Sequence, residues 1–144
     1  MADTLVDSNV LLDVLTDDPR WGAWSAEAIS RRAEESALVI NPIVYAEVSI
    51  GFARIEELDE ALDPTHFERR ALPFEAAFLA GKCFLKYRRR GGARTSTLPD
   101  FYIGAHAAVS GLALLTRDAA RYRTYFPTIT IIAPQARANH RNGS

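Results

Sequence analysis

The chain has 144 residues, 48% of them hydrophobic and 24% charged, with a formal net charge of −1. That length and balance suit one globular domain with a real core and exclude a disordered chain. A net charge so near zero also excludes a protein drawn to nucleic acid by its overall charge, so any basic surface must be local.

Thr4–Val6 is a short apolar run and the first predicted strand; Ser8–Thr16 follows as a helix with Val10, Leu11, Val14 and Leu15 at helical spacing. Asp17, Asp18 and Pro19 form a turn. Arg20–Ser36 is the second helix, with Trp21, Trp24, Ala28 and Ile29 on its apolar side, and Ala37–Ile40 is the second strand, broken by Asn41-Pro42. Ile43–Ala53 and Ile55–Leu62 read as helices, and Ala71–Pro73 as a short strand. Phe74–Arg90 is a long amphipathic helix whose expected buried stripe is Ala77, Phe78, Gly81, Phe84 and Leu85. A basic, glycine-bearing loop with Arg88, Arg89, Arg90 and Arg94 leads to an Ala-rich helix over Pro99–Ser110. Leu112–Leu115 is a buried strand, Asp118–Tyr122 a helical turn, and Ile129–Ile132 the last strand. Strands alternating with helices predict a parallel sheet with helices on both faces. The division expected is a single domain over 1–134 and a polar tail over 135–144.

The single cysteine, Cys83, excludes an internal disulfide and a thiolate metal site, and reads as a small buried hydrophobe. No segment is long enough to span a membrane, and the opening residues ADTLVDSN lack the basic start of a secretory signal, so the expected location is cytoplasmic.

Four acids stand where an apolar run gives way to a helix, or at helical spacing inside one. They are Asp7 in TLVDSNVLLD, Glu47 in NPIVYAEVSIG, Asp100 in TLPDFYIGAHA and Asp118 in LALLTRDAARY. Ligands of parallel α/β sheets bind at the carboxyl ends of the strands. Taken singly, Asp7, Asp100 and Asp118 are explained as helix caps and Glu47 as a solvated side chain. Capping does not account for their ordering along the whole chain. Carboxylates gathered in one pocket raise each other's pKa unless a cation offsets them. The pattern therefore points to a hard divalent cation, Mg²⁺ or Mn²⁺, on oxygen ligands, and to phosphodiester chemistry. The remaining acids act as controls: Asp13 is expected to face solvent or cap a neighbour, and Asp3 lies at the wrong end of its strand. A receiver-type phosphoacceptor would need a lysine near the last strand, and none follows Lys86. A haloacid-dehalogenase-type phosphatase would need a second Asp where Asn9 stands.

LVDSNVLLD, IVYAEV, LPDFYIGAHA and LLTRD together resemble, in order and spacing, the four motifs of PIN domains, most closely VapC-type ribonuclease toxins of bacterial toxin–antitoxin pairs. The resemblance runs from Asp3 to Pro134. It implies a three-layer α/β/α sandwich around a parallel sheet. It places the family's acidic quartet on Asp7, Glu47, Asp100 and Asp118, with Thr116 as the hydroxyl beside the last acid. Asp7 and Asp100 would be the primary ligands of Mg²⁺, for which Mn²⁺ substitutes, and Glu47 and Asp118 would hold waters or a second ion. The implied activity is endoribonucleolytic hydrolysis by metal-activated water, leaving a 5′-phosphate and a 3′-hydroxyl. The implied partners are an RNA substrate, a cognate antitoxin with an Arg aimed at the acids, and a second copy of the chain, with Trp21, Trp24 and Phe52 read as either dimer contacts or core. No catalytic histidine is needed, and His66, His106 and His140 share no site; His106 reads as a packing residue. Arg88, Arg89, Arg90 and Arg94 read either as a grip on the RNA backbone or as complements to the negative end of the long helix. Rival readings are a housekeeping RNA-processing PIN nuclease and a non-catalytic nucleic-acid-binding module.

Overall fold

The computed structural model describes residues 2–135. In chain order the elements are β1 (Thr4–Val6), α1 (Ser8–Leu15), α2 (Gly22–Glu35), β2 (Leu38–Ile40), α3 (Pro42–Ser49), α4 (Ile55–Ala61), β3 (Phe67–Arg69), α5 (Phe74–Arg89), α6 (Pro99–Ser110), β4 (Ala113–Leu115), α7 (Ala120–Tyr125) and β5 (Ile131–Ile132). The three central strands, TLV, LVI and ALL, are buried at every position. Strands covered on both faces carry such unbroken apolar runs. All pairings are parallel, in the order β3-β2-β1-β4-β5, and helices flank the sheet. This is the α/β class that the alternation of elements predicted.

The chain adds strands outward from β1 on one side and then returns to build β4 and β5 on the other. The reversal lies between β1 and β4, where a parallel sheet opens a crevice at its carboxyl edge. Leu5 pairs with Leu114 and Val6 with Leu115. Asp7 and Thr116, the next residues of each strand, therefore emerge side by side. The Asp7 amide continues the ladder by donating to the Leu115 carbonyl at 2.8 Å.

Several elements differ from expectation. The edge strand is Phe67–Arg69, and Ala71–Pro73 is irregular; its pairing with Leu38–Ile40 makes FER a strand, because its own sequence offers one apolar residue. The third helix ends at Ser49 instead of Ala53, and the last begins at Ala120, beyond Asp118. On α5 the buried residues are Ala76, Ala80 and Cys83, while Phe78 is 69% and Leu85 43% exposed and Gly81 is also exposed. The small residues let α5 lie close against α6, and the large apolar ones face outward, so the expected stripe is rotated about the helix axis. Trp24 and Phe52 pack partly against the core. Apart from Gln135, the expected tail, with His140, lies outside the described residues.

Close packing on α6 yields a test. A Cβ on Gly104 would stand 2.3 Å from the Phe126 ring, whereas one on Gly81 of α5 would meet no atom within 4 Å. Replacing glycine by alanine inside a helix gains about 1 kcal/mol, but overpacking costs about 1–3 kcal/mol. Gly81→Ala should raise the urea midpoint and Gly104→Ala should lower it. Equal stabilisation by both would show that the Phe126 ring does not seat on α6.

Candidate acidic site

Asp7 ends β1 as the N-cap of α1. Its Oδ1 accepts the Ser8 amide at 2.7 Å, so the capping role foreseen for an Asp here is real. The cap uses one oxygen only. Oδ2 accepts the Thr116 hydroxyl at 2.8 Å and the Tyr122 phenol at 2.9 Å, and the side chain is 3% exposed. Glu47 sits on α3, a helix started by the Asn41 cap with Pro42 in its first turn. It turns inward, half-buried, and its Oε1 accepts the Ser8 hydroxyl at 2.9 Å. Asp100 lies in the first turn of α6 but caps nothing; its Oδ1 stands 3.4 Å from the Tyr122 hydroxyl and its Oδ2 3.4 Å from Arg121 Nη1. Asp7 is thus linked to Glu47 through the Ser8 hydroxyl and to Asp100 through the Tyr122 hydroxyl, and Thr116 bonds Asp7 alone of the three acids.

Asp118 is exposed on the rim. Its backbone N–H donates to the Thr116 hydroxyl oxygen at 3.2 Å, and its charge reaches Asp100. Thr116 therefore orients Asp7 rather than the Asp118 carboxylate: its hydroxyl proton goes to Asp7, and its oxygen accepts from Asp118 and, at 3.3 Å, from the Asn9 amide.

Burial pushes the Asp7 carboxyl above the usual carboxylate range, aided by Asp100 and opposed by its Thr116, Tyr122 and Ser8 bonds. Burial also raises Glu47, with Asp7 and Asp100 adding repulsion. Asp100 is raised by burial and by Asp118, against the pull of Arg121 and Tyr122. Burial among these acids drives the Tyr122 phenol far upward, so it stays a neutral donor. Its one proton serves the nearer Asp7 oxygen. Burial is the main cause of all three shifts, and the mutual repulsion of the acids adds to it.

The donor set is all oxygen, which suits Mg²⁺ or Mn²⁺ and not a thiophilic metal. Among the described residues no three His, Cys, Asp or Glu side chains converge as a ready-made metal site. Here hydroxyls stand between the acids, with the Tyr122 phenol 2.9 Å from Asp7 Oδ2 and 3.4 Å from Asp100 Oδ1. In donor chemistry and unbalanced charge the residues fit a hard divalent cation.

Tyr122 was not visible as a site residue. Its ring reads as core, and only its place one helical turn beyond Asp118 links it to the motif. Removing its hydroxyl leaves the buried Asp7 oxygen with one donor fewer, which costs about 1–3 kcal/mol. Tyr122→Phe should show that loss in metal-free urea unfolding; an unchanged midpoint would mean that the phenol does not hold Asp7.

Asp13, expected to face solvent or cap a neighbour, is 2% exposed and bonds side chains of α2 and the Thr116 loop. Its Oδ2 accepts the Ser25 hydroxyl and Arg117 Nε, each at 2.8 Å, and its Oδ1 accepts Arg117 Nη2 at 3.1 Å. Arg117 thereby clamps the loop bearing Thr116 and Asp118 onto α1 and α2. Its guanidinium lies 5.9 Å from the Trp21 ring, and its amide donates to Asn9 Oδ1 at 3.1 Å. His106 is the packing residue it was read to be, buried and 3.0 Å from the Asn41 amide nitrogen, with burial lowering its pKa. Of the basic loop, Arg88 donates to the Gly92 and Arg94 carbonyls, each at 2.9 Å, and Arg90 stacks on Tyr125. Arg89 is exposed.

Among solved structures, the VapBC2 complex of Rickettsia felis bound to a promoter DNA fragment is similar at 17% identity and TM-score 0.70, covering 92% of this chain and 98% of that one. VapBC-1 of nontypeable Haemophilus influenzae is similar at 17% identity and TM-score 0.68, covering 90% and 96%. FitAcB of Neisseria gonorrhoeae gives 18% identity and TM-score 0.65 over the same shares. At these identities the likeness is one of fold. No curated protein matches the sequence. The PIN domain family matches residues 4–127, from the first strand to just past the last helix, and with the acids gathered at the carboxyl edge of the sheet the chain belongs to that family.

Proposed function

We propose that this protein is a Mg²⁺- or Mn²⁺-dependent endoribonuclease, the toxin of a toxin–antitoxin pair. One observation carries the reading: Asp7, Glu47 and Asp100 are joined through hydroxyls at the carboxyl edge of β1, and all three carboxyls are raised. Asp7 and Asp100 would hold the cation, with Glu47 and Asp118 behind it. A divalent cation there supplies a lowered pKa for a bound water and offsets charge on the scissile phosphate. The protein's own residues fix the oxygens. Thr116 and Tyr122 aim Asp7 Oδ2, Ser8 spans Asp7 and Glu47, and Asn9 holds Thr116.

Support for the toxin role comes from the similar structures, which are complexes of toxins with antitoxins. An antitoxin would cover the acidic set, and an Arg from it would pair with the carboxylates. Homodimerisation belongs to the same reading. Among the described residues no helix is long and apolar enough to cross a membrane. The basic loop adds RNA backbone contacts, from Arg89, Arg90 and Arg94 more than from Arg88, which is spent on its own loop.

The test is cleavage of total cellular RNA by the purified protein in Mg²⁺, in Mn²⁺ and in EDTA, beside Asp100→Asn. Discrete metal-dependent fragments that the variant does not produce are expected, with 5′-phosphate ends. No cleavage by folded protein in either metal would overturn the nuclease and favour a binding module. Cleavage confined to precursor ends of stable RNA would favour a housekeeping processing enzyme.

A further inference from the structure

We propose that Arg121 is a substrate-contacting residue: it takes a phosphate oxygen of the RNA backbone beside the acids, and its pairing with Asp100 is its resting position. This rests on the nuclease reading and extends it to a residue that none of the four motifs contains. Arg121 Nη1 meets Asp100 Oδ2 at 3.4 Å, with side chains 40% and 37% exposed. A long, single, half-exposed ion pair is weak. Its other N–H groups make no hydrogen bond among the described residues, so most of a planar donor fork is uncommitted beside Asp100. That fork matches the geometry of a phosphate.

The guanidinium is nonetheless held in place. Its carbon lies 5.9 Å from both the Tyr87 and the Phe101 ring centres, and those rings meet edge to face at 5.8 Å. These cation–π contacts hold the group near the rings without using a single N–H group. The shelf is also tied to the basic loop. Tyr87 closes α5, its hydroxyl accepts the Arg94 amide at 3.4 Å, and Gly92 lies so close to its ring that a Cβ there would stand at 2.3 Å. A backbone tracking along the loop thus arrives at Arg121 next to Asp100. Two other arginines near the site are engaged elsewhere: Arg117 on Asp13, Arg88 on loop carbonyls.

When a cation takes Asp100, Arg121 loses its partner and its fork is released to a phosphate. Arg121 therefore competes with metal and cooperates with RNA, and the two effects have opposite signs on its removal. The experiment measures Mn²⁺ alone binding to wild type, Arg121→Ala, Arg121→Lys and Arg123→Ala by titration calorimetry. It then measures a fluorescent single-stranded RNA, verified uncut, binding in Ca²⁺ across a salt series. Arg121→Ala should bind Mn²⁺ about two- to fivefold more tightly and RNA about tenfold more weakly, with the salt slope smaller by about 1. Arg121→Lys should keep the slope and lose part of the affinity. Arg123→Ala, the same charge change on the same helix, should match wild type in both. Unchanged RNA affinity and slope in Arg121→Ala would overturn the proposal, leaving Arg121 a counterion of Asp100. So would weaker binding of both metal and RNA, the mark of a structural role. Wild type that binds no RNA at any salt would instead overturn the nuclease reading, and this one with it.

Discussion

Asp7→Asn should lower RNA cleavage by about 10³-fold or more with the fold intact, because several kcal/mol of charge stabilisation by the metal is lost with its ligand. The substitution is nearly isosteric. Asn caps a helix as well as Asp does, so the Ser8 amide keeps its acceptor. The amide nitrogen then faces the Thr116 and Tyr122 hydroxyls; the Tyr122 oxygen can accept from it, whereas the Thr116 oxygen already accepts from Asp118 and Asn9. Stability should move the other way. The Asp7 carboxyl is raised in the folded protein, so the native state holds a proton that the unfolded chain has already released. Wild-type stability in EDTA therefore gives up this contribution as pH climbs from about 4 through the raised value. Asn has no such charge. In EDTA the melting temperature of Asp7→Asn, relative to wild type, should rise across that window and stay high above it. Mn²⁺ should raise the wild-type melting temperature at neutral pH and leave the variant unmoved. A folded variant that cuts RNA at the wild-type rate would remove Asp7 from the chemistry.

Arg117→Ala is expected to cost about 2–4 kcal/mol. It leaves Asp13, 3% exposed at its side chain, as a buried carboxylate without its cation. Breaking a buried pair by deleting one partner is far more damaging than replacing both, because the orphaned charge is the damage. Arg117 is itself 31% exposed, which keeps the loss toward the lower end. Asp13→Asn in the Arg117→Ala background should recover part of the stability, since an amide can keep the Ser25 bond without a charge. Urea unfolding of the two single variants and the double gives the coupling directly. Strictly additive losses would mean that the pair is not coupled and that the clamp on the Thr116 loop is not electrostatic.

Much of the architecture was readable because local and global preferences agree. β2 and β4 are unbroken apolar runs and β1 departs from one only at Thr4, all three ended by polar residues, and Pro99–Ser110 is bounded by a first-turn proline and by Gly111, which ends α6 at φ +64°. β3 was misplaced because an edge strand answers to its neighbour more than to its own composition. The α5 stripe was rotated because bulky apolar residues dominate a periodicity, whereas close helix packing selects small ones. The site divides in the same way. Asp7, Glu47 and Asp100 were legible from position and do lie together. Asp13 was misjudged as a surface acid because its burial depends on Arg117, 104 residues away. Tyr122 and Arg121 were missed for a related reason: nothing in their local pattern shows that a ring or a guanidinium will turn toward acids contributed by other helices.

The span of these contacts constrains when the molecule becomes competent. Asp7 is held by hydroxyls 109 and 115 residues further along the chain. A chain growing on the ribosome acquires Asp7 and Glu47 long before Thr116 or Tyr122, and Asp100 only shortly before them. Until then β4 is missing from beside β1, and the half-built sheet has neither the crevice nor the donors that orient the first carboxylate. Pairings of such long sequence separation also form late in folding, after the cost of closing the loop has been met. A chain that stops short of β4 therefore carries these acids without the hydroxyls that orient Asp7.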